Sequence, residues 1–433
     1  MLRTLALLLS CSPTCLASTH WIVGPSGSGA DFAQVSAAIQ AAAPGDSIFV
    51  LPGIYSEPAG VRIDKALTLI GAGSPITRIE VPVGGFGCPG LLVIENIAAQ
   101  DAVSCGGFEI VGTGSGFNFP GCGMFLSDCD GPVFLHDLDK LVGSPNSPEP
   151  IYLQVERCAD VTLERCSFEG VHYFGDCGIP PWIDARPAVR GVDSRLTLNA
   201  CDLWGGSPTE SCFVVDGAPG LGLLRSTARV ANSVLEGSED RGTLSGLIPG
   251  WQGIELEDSS AELFGGTQVQ GGLFFQGQLA TAVILESGAA LTVTDDVTFE
   301  SSGGNPPIVD PGGLLTTAPE RWAAGLVTPG LAPVGSNVSL DLAGEPSALT
   351  LTYLGSPQLS TPIGGIEGPL QLAPSDPNAL AIVTLDPAGS ANVPFTLPND
   401  PALQGSSLAF QTLGVTPTLG LSLSPLFGFR FGY

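Results

Sequence analysis

Five segments of the chain repeat one pattern: VTLERCSFEG (161–170), LTLNACDLWG (196–205), ARVANSVLEG (228–237), AELFGGTQVQ (261–270) and LTVTDDVTFE (291–300). Each is a short alternating strand, a break of two or three polar or small residues, then a second short strand. Their starts lie 35, 32, 33 and 30 residues apart. A third alternating run precedes most of them, in YLQVERCAD, AVRGVDS, QGIELEDSS and AVILESGAA. Looser copies occur earlier, around LLVIENIAAQ and GMFLSDCDGPVFLHD. A unit of three short strands cannot bury its apolar face alone, so it must stack on its neighbours. The pattern predicts an all-β parallel β-helix over residues 19–305. Its coils stack at strand spacing, about 4.8 Å. Alternate residues fill one continuous core, and backbone hydrogen bonds run from coil to coil.

A solenoid has two open ends, and an uncovered strand edge recruits other chains. Just before the first coil, Phe32, Val35, Ala38, Ile39 and Ala42 fall at helical spacing. They predict an amphipathic cap, with winding starting at SIFVL. Composition agrees with a turn-rich β fold: 59 Gly and 37 Pro disfavour helical bundles, while abundant Val, Leu, Ile and Phe exclude a disordered chain.

Asp31-Phe32, Val35, Ala38-Ile39, Gly45-Asp46, Pro52-Gly53, Tyr55, Glu57 and LTLIGAG (67–73) resemble the opening of pectin-lyase-like right-handed β-helix proteins, including pectin methylesterases. The resemblance implies a right-handed parallel β-helix with a helical N-terminal cap. It does not bring the catalytic sets with it. Gln100-Asp101, Asp31-Phe32 and Arg186-Pro187 are fragments of pectin methylesterase motifs. Of the polygalacturonase motifs only Asp295-Asp296 is present. The clustered aspartates of pectate lyases form too diffuse a signature to decide on.

The long loop GVHYFGDCGIPPWIDARPAVRG (170–191) carries the most chemistry. Asp176, Asp184, Arg186 and Arg190 are the catalytic candidates. Tyr173 and Trp182 could stack on sugar rings, with Tyr152 and Gln154 on the adjacent strand. Glu255 faces out in the same register. Trp204 and Trp251 sit near other corner loops and could extend a sugar-binding track, with core packing the default for both. Asp128, Asp130, Asp137 and Asp139 are candidate Ca²⁺ ligands, although their spacing matches no known calcium loop. No other cofactor is expected. The alternative for all these groups is ordinary packing and solvated turns.

The first 17 residues, MLRTLALLLSCSPTCLA, read as a secretory signal peptide; a lipidated Cys11 is the competing reading. No later run is long enough to span a bilayer. Export makes disulfides the expected use of the nine remaining cysteines. Cys166 and Cys201 occupy one place in successive repeats, Cys129 and Cys158 nearly so, and Cys177 and Cys212 lie in neighbouring corner loops. Residues 306–337 are rich in Pro, Gly and small side chains and read as a linker. Six alternating runs follow in 338–433 and predict a small β-sandwich. Within it, DPAGSANVPFTLPNDPALQGSSLAFQTL (386–413) resembles C-terminal modules of large exported bacterial proteins.

Fifteen basic against 42 acidic residues leave a net charge of −27. That excludes nucleic acid and anionic membranes as partners, and disfavours polyanionic sugars unless Ca²⁺ bridges them. The favoured reading is a secreted or cell-surface bacterial protein that contacts extracellular polysaccharide, or serves as a scaffold, without catalysis. The competing reading is a polysaccharide lyase or glycoside hydrolase working beside the 170–191 loop. Neither the oligomeric state nor the glycan can be read from the sequence.

Overall fold

The repeat folds as three stacked parallel sheets. In the computed structural model they form a right-handed β-solenoid of about seven turns, followed by antiparallel sheets. The structure describes residues 19–432 except 75, 83–89, 114–122, 140–151, 171–172, 175–184, 207, 210–216, 239–250, 274–278, 303–304, 311, 318–323, 329–330, 356, 364–365, 368, 373–377, 401–406, 417–419 and 425–426. The expected signal peptide therefore lies outside the described residues.

Sheet A has thirteen strands, running from His20–Val23 to Leu314–Thr317. Sheet B has nine, from Val61–Ile63 to Ile308–Val309. Sheet C has five, from Ser167–Glu169 to Thr298–Glu300. Register is strict. Leu135, Leu163, Leu198, Val230, Leu263 and Val293 stack as one inward row of sheet A, each buried. Identical pointing in every coil follows from the two-residue period of a strand.

Two corners explain much of the sequence. After six of the nine sheet B strands one residue takes a left-handed conformation: Asn96, Asp128, Arg157, Asp193, Arg225 and Asp258, at φ between 47° and 56°. The following residue forms an internal ladder through Cys129, Cys158, Ser194, Ser226 and Ser259. The backbone N–H of Cys158 donates to Ser194 Oγ, that of Ser194 to Ser226 Oγ, and that of Ser226 to Ser259 Oγ, each at 3.0 Å. Each hydroxyl then donates to the carbonyl two residues back, at 2.7–2.9 Å. The corner after sheet A repeats the device with Cys166, Cys201, Ser233 and Thr267. Only a small side chain carrying a donor fits such a ladder, which is why Cys, Ser and Thr occupy it.

The cap forms as expected, as the helix Val35–Ala41 with Val35, Ala38 and Ile39 buried. No residue of its own caps its N-terminus. Instead the Glu57 carboxylate accepts from the N–H groups of Val35 (2.5 Å) and Ser36 (3.3 Å). Asp46 accepts from Thr19 N, Trp21 Nε1 and Ala43 N at 2.8–3.1 Å, tying the first strand to the helix end. Tyr55 donates to Leu51 O at 2.7 Å. The residues shared with the pectin-lyase-like opening are thus the fastenings of the cap.

Short strands fall within the segment 306–337, expected as a linker or an irregular cover for the last coil. Ile308–Val309 and Leu314–Thr317 extend sheets B and A, while Ala324–Thr328 and Leu331–Pro333 belong to the C-terminal sheets. Strands of two to five residues between Pro and Gly carry too little alternation to be seen locally. The C-terminal strands form two facing sheets. Val338, Leu340 and Leu342 of one meet Phe410 and Phe427 of the other in a separate core. The two phenylalanine rings stack at 5.7 Å.

This C-terminal domain lies on the outer face of sheet A. Phe134 packs with Leu372 and Ala409, and Ala231 and Phe264 pack with Ala343. Asn199 Nδ2 donates to Gly325 O (3.1 Å), and Gln371 Nε2 to Thr162 Oγ1 (3.4 Å). That is why Val161–Glu164 is buried at all four positions, whereas Leu153–Glu156 of sheet B alternates.

Candidate functional site on the outer face of sheet B

With sheet A covered, the outward row of sheet B leads to the 170–191 loop. Parallel register aligns Phe125, Gln154, Arg190, Gly222, Glu255 and Ile284. The expected outward facing of Gln154, Arg190 and Glu255 is therefore observed. Arg190 is exposed, Gln154 and Glu255 are half-buried, and Gln154 Nε2 donates to Glu156. Arg190 and Glu255 stand two coils apart, about 10 Å at strand spacing. Between them Gly222 offers no side chain; a Cβ there would sit 3.2 Å from Pro187 and 3.6 Å from Pro219. The result is a notch floored by glycine and two prolines, with a guanidinium at one rim and a carboxyl at the other.

Tyr152 does not serve as an open aromatic platform. It is 1% exposed, with its ring edge-on to Phe125 at 5.7 Å and over Gly123. Its hydroxyl accepts from Arg186 Nη1 at 2.7 Å, and the guanidinium lies 5.1 Å from the ring centroid. Burial raises the Tyr152 hydroxyl's pKa against the opposing pull of Arg186, so it stays neutral.

The arginines divide sharply. Arg62, Arg78, Arg157, Arg165, Arg225 and Arg229 each have a carboxylate within 4.0 Å. Among the described residues Arg186 and Arg190 have none, and Arg195 on sheet A shares that state. Two guanidiniums with no carboxylate partner among the described residues thus sit four residues apart on one outer face of a strongly acidic chain.

Glu255 has the opposite peculiarity. Burial raises its pKa, and the like charge of Glu286 adds to the shift; the Trp251 indole and Arg190 oppose it. The Trp251 N–H is buried without a well-aligned acceptor, and Glu255 is the carboxylate near enough to feel it. The folded chain holds this proton to higher pH than the unfolded chain, so the ionised group subtracts stability above its folded pKa. Glu255→Gln should therefore raise the melting temperature at neutral pH. In buffer below the ordinary glutamate value of 4.5 it should change nothing. Thermal melts of both proteins in the two buffers check this, and a loss at neutral pH would refute it.

Asp176, Trp182 and Asp184 lie outside the described residues, as do Cys177 and Cys212. Tyr173 begins a two-residue strand, Tyr173–Phe174, that pairs with Pro208–Thr209 of the next loop. The loop base is tight: a Cβ on Gly170 would lie 1.9 Å from Arg186 O. Trp204, for which core packing was the default, is 37% exposed.

The acidic residues do not converge on a cation. Asp128 is held bidentately by Arg157 (2.6 and 2.9 Å) and Asp137 by Arg165 (2.7 and 3.0 Å), at different corners. Asp130 and Asp139 are exposed. Among the described residues no group of three or more His, Cys, Asp or Glu is placed to hold a metal. Both Asp128 and Asp137 are left-handed corner residues, a position that favours Asp for conformational reasons. The expected cysteine neighbours are in place, Cys158 beside Cys129 and Cys201 beside Cys166, but all four are thiols.

No family model matches the chain, and no curated protein matches it. Solved structures similar in fold include tailspike protein 2 of Escherichia coli O157:H7 bacteriophage CAB120. The identity is 12% and the TM-score 0.41, with 97% of this chain and 69% of that one covered. Pectate lyase Pel9A is 11% identical, with a TM-score of 0.34, over 70% and 78% of the two chains. The tailspike gp49 of Acinetobacter baumannii bacteriophage Fri1, a capsular polysaccharide depolymerase, is 9% identical, with a TM-score of 0.28, over 96% and 82%. The chain is a right-handed parallel β-solenoid with a C-terminal β domain docked on one sheet.

Proposed function

We propose that this protein is an exported solenoid that binds extracellular polysaccharide on the outer face of sheet B, beside the 170–191 loop, without cleaving it. The observation that carries the reading is the pair Arg186 and Arg190, guanidiniums without carboxylate partners among the described residues, on the sheet face left open by the C-terminal domain. A planar fork of N–H donors suits sugar carboxylates and vicinal hydroxyls. The two guanidiniums supply local positive charge, which favours acidic glycans at this spot despite the net charge of −27. Ca²⁺ remains a proposed auxiliary, bridging glycan to the surrounding carboxylates.

The reading is tested with a polysaccharide panel, neutral and acidic, with and without Ca²⁺, scored for binding and for new reducing or unsaturated ends. Retention without products supports it, and absence of retention on every glycan overturns it. One observation favours a lyase or hydrolase instead: Glu255 is a carboxyl biased toward its protonated form across the notch from Arg190. Product formation lost in Glu255→Gln, with binding retained, would establish that activity.

A further inference from the structure

We propose that Cys129–Cys158 and Cys166–Cys201 close as two coil-to-coil disulfides when the chain folds in an oxidising medium. Each pair occupies equivalent positions in adjacent coils. Ala159 N donates to Cys129 O at 2.8 Å, and Asp202 N to Cys166 O at 3.0 Å, so one ladder rung separates the partners. Strand spacing places their Cα atoms about 4.8 Å apart, inside the window a disulfide spans. The thiols of each pair are in contact, and all four are at most 2% exposed.

The ladders themselves ask only for a small donor, and Ser meets that need at Ser194, Ser226, Ser259 and Ser233. Cysteine on a ladder never stands alone: each ladder opens with two in succession and continues with Ser. Cys105, by contrast, is a strand residue between Leu69 and Leu135 in register, and stays a thiol. The arrangement is what paired oxidation would require and what a donor ladder leaves unexplained.

The chemistry is thiol–disulfide exchange with a small external disulfide such as oxidised glutathione. One protein thiolate attacks it and expels a glutathione thiolate; its partner then attacks the mixed disulfide and expels the second. The two protons shed by the cysteines end on the two glutathiones. In the folded chain burial pushes the Cys166 thiol well up, and contact with Cys129 does the same for Cys158. Exchange therefore belongs to the folding chain, before the corners close.

The test is refolding of the full chain with oxidised and reduced glutathione, acid quenching, alkylation without reduction, and peptide mapping. The expected result is two linked peptide pairs, 129 with 158 and 166 with 201. The melting temperature should rise about 10 °C over the protein refolded in reductant. Cys158→Ser and Cys201→Ser, which copy residues already on the ladders, should each fold, remove one link and forfeit only the oxidant-dependent part of that rise. Alkylation of all four cysteines after oxidative refolding would overturn the proposal. So would linkage of any of them to another partner, or an oxidant-dependent rise undiminished in the serine variants. The mapping of the wild-type chain decides independently of how the variants fold.

Discussion

Arg186→Ala/Arg190→Ala should abolish retention of acidic polysaccharide while leaving the solenoid folded. A charge-assisted hydrogen bond contributes about 1.5–3 kcal/mol. Loss of one guanidinium should weaken binding roughly tenfold to a hundredfold, and loss of both should take a micromolar interaction beyond detection. The two single variants separate the contributions. Arg190 is exposed and has no hydrogen-bond acceptor among the described residues, and its charge reaches Glu255 only through the open face, so Arg190→Ala should change the melting temperature little and act mainly on binding. Arg186 also satisfies the buried Tyr152 hydroxyl, so Arg186→Ala should lower stability by about 1–2 kcal/mol besides weakening binding. Arg190→Lys keeps the charge but loses the planar fork and should fall between wild type and alanine. Affinity electrophoresis against immobilised glycan, run at two salt concentrations, reads all four proteins. Retention by the double variant equal to wild type would remove sheet B as the binding face.

What the sequence made legible follows from the range of the interactions concerned. The cap was visible because Val35, Ala38 and Ile39 mark a helix within a single turn or two, although Phe32, at the same spacing, precedes the helix and bridges Val23; the coils were visible because inward residues repeat every second position. The cysteine alignment was visible because both members sit at one offset from a repeated strand. The run LGLLRS was missed: its outward residue is Gly222, so apolar and small residues alternate without contrast. Glu164 and Asn199 are polar residues that are nonetheless buried. For Asn199 the covering group is the carbonyl of Gly325, 126 residues later. No local pattern announces a partner at that separation. Asp128 and Asp137 looked like cation ligands because a left-handed corner and a metal loop both favour aspartate. Their arginine partners, 29 and 28 residues downstream, distinguish the two. Trp204 was misjudged for a related reason: its facing depends on register, and one residue reverses it.

Phe134→Asp should detach the C-terminal domain from the solenoid. Phe134 is 4% exposed, in contact with Leu372 and Ala409 and stacked on His136 at 5.1 Å. Its replacement removes about 2–3 kcal/mol of buried apolar contact. It also buries a carboxylate beside His136, which already pairs with Asp137, at a further cost of several kcal/mol. Sheet A is already acidic there, with Glu164 buried two residues from Thr162 in the adjacent strand. The expected result is limited proteolysis that separates a solenoid fragment from a C-terminal fragment, under conditions in which the wild-type chain stays whole. Ile54→Asp, on a side chain 69% exposed, is the control and should leave the pattern unchanged. A Phe134→Asp chain as resistant as wild type would show that docking does not depend on this contact. Detachment bears on function as well as stability. If polysaccharide binds sheet B alone, the detached variant should bind as wild type does, because Arg186 and Arg190 lie on the other sheet. If its binding instead rises, the C-terminal domain covers a second glycan surface on sheet A, and the solenoid has two faces to offer rather than one.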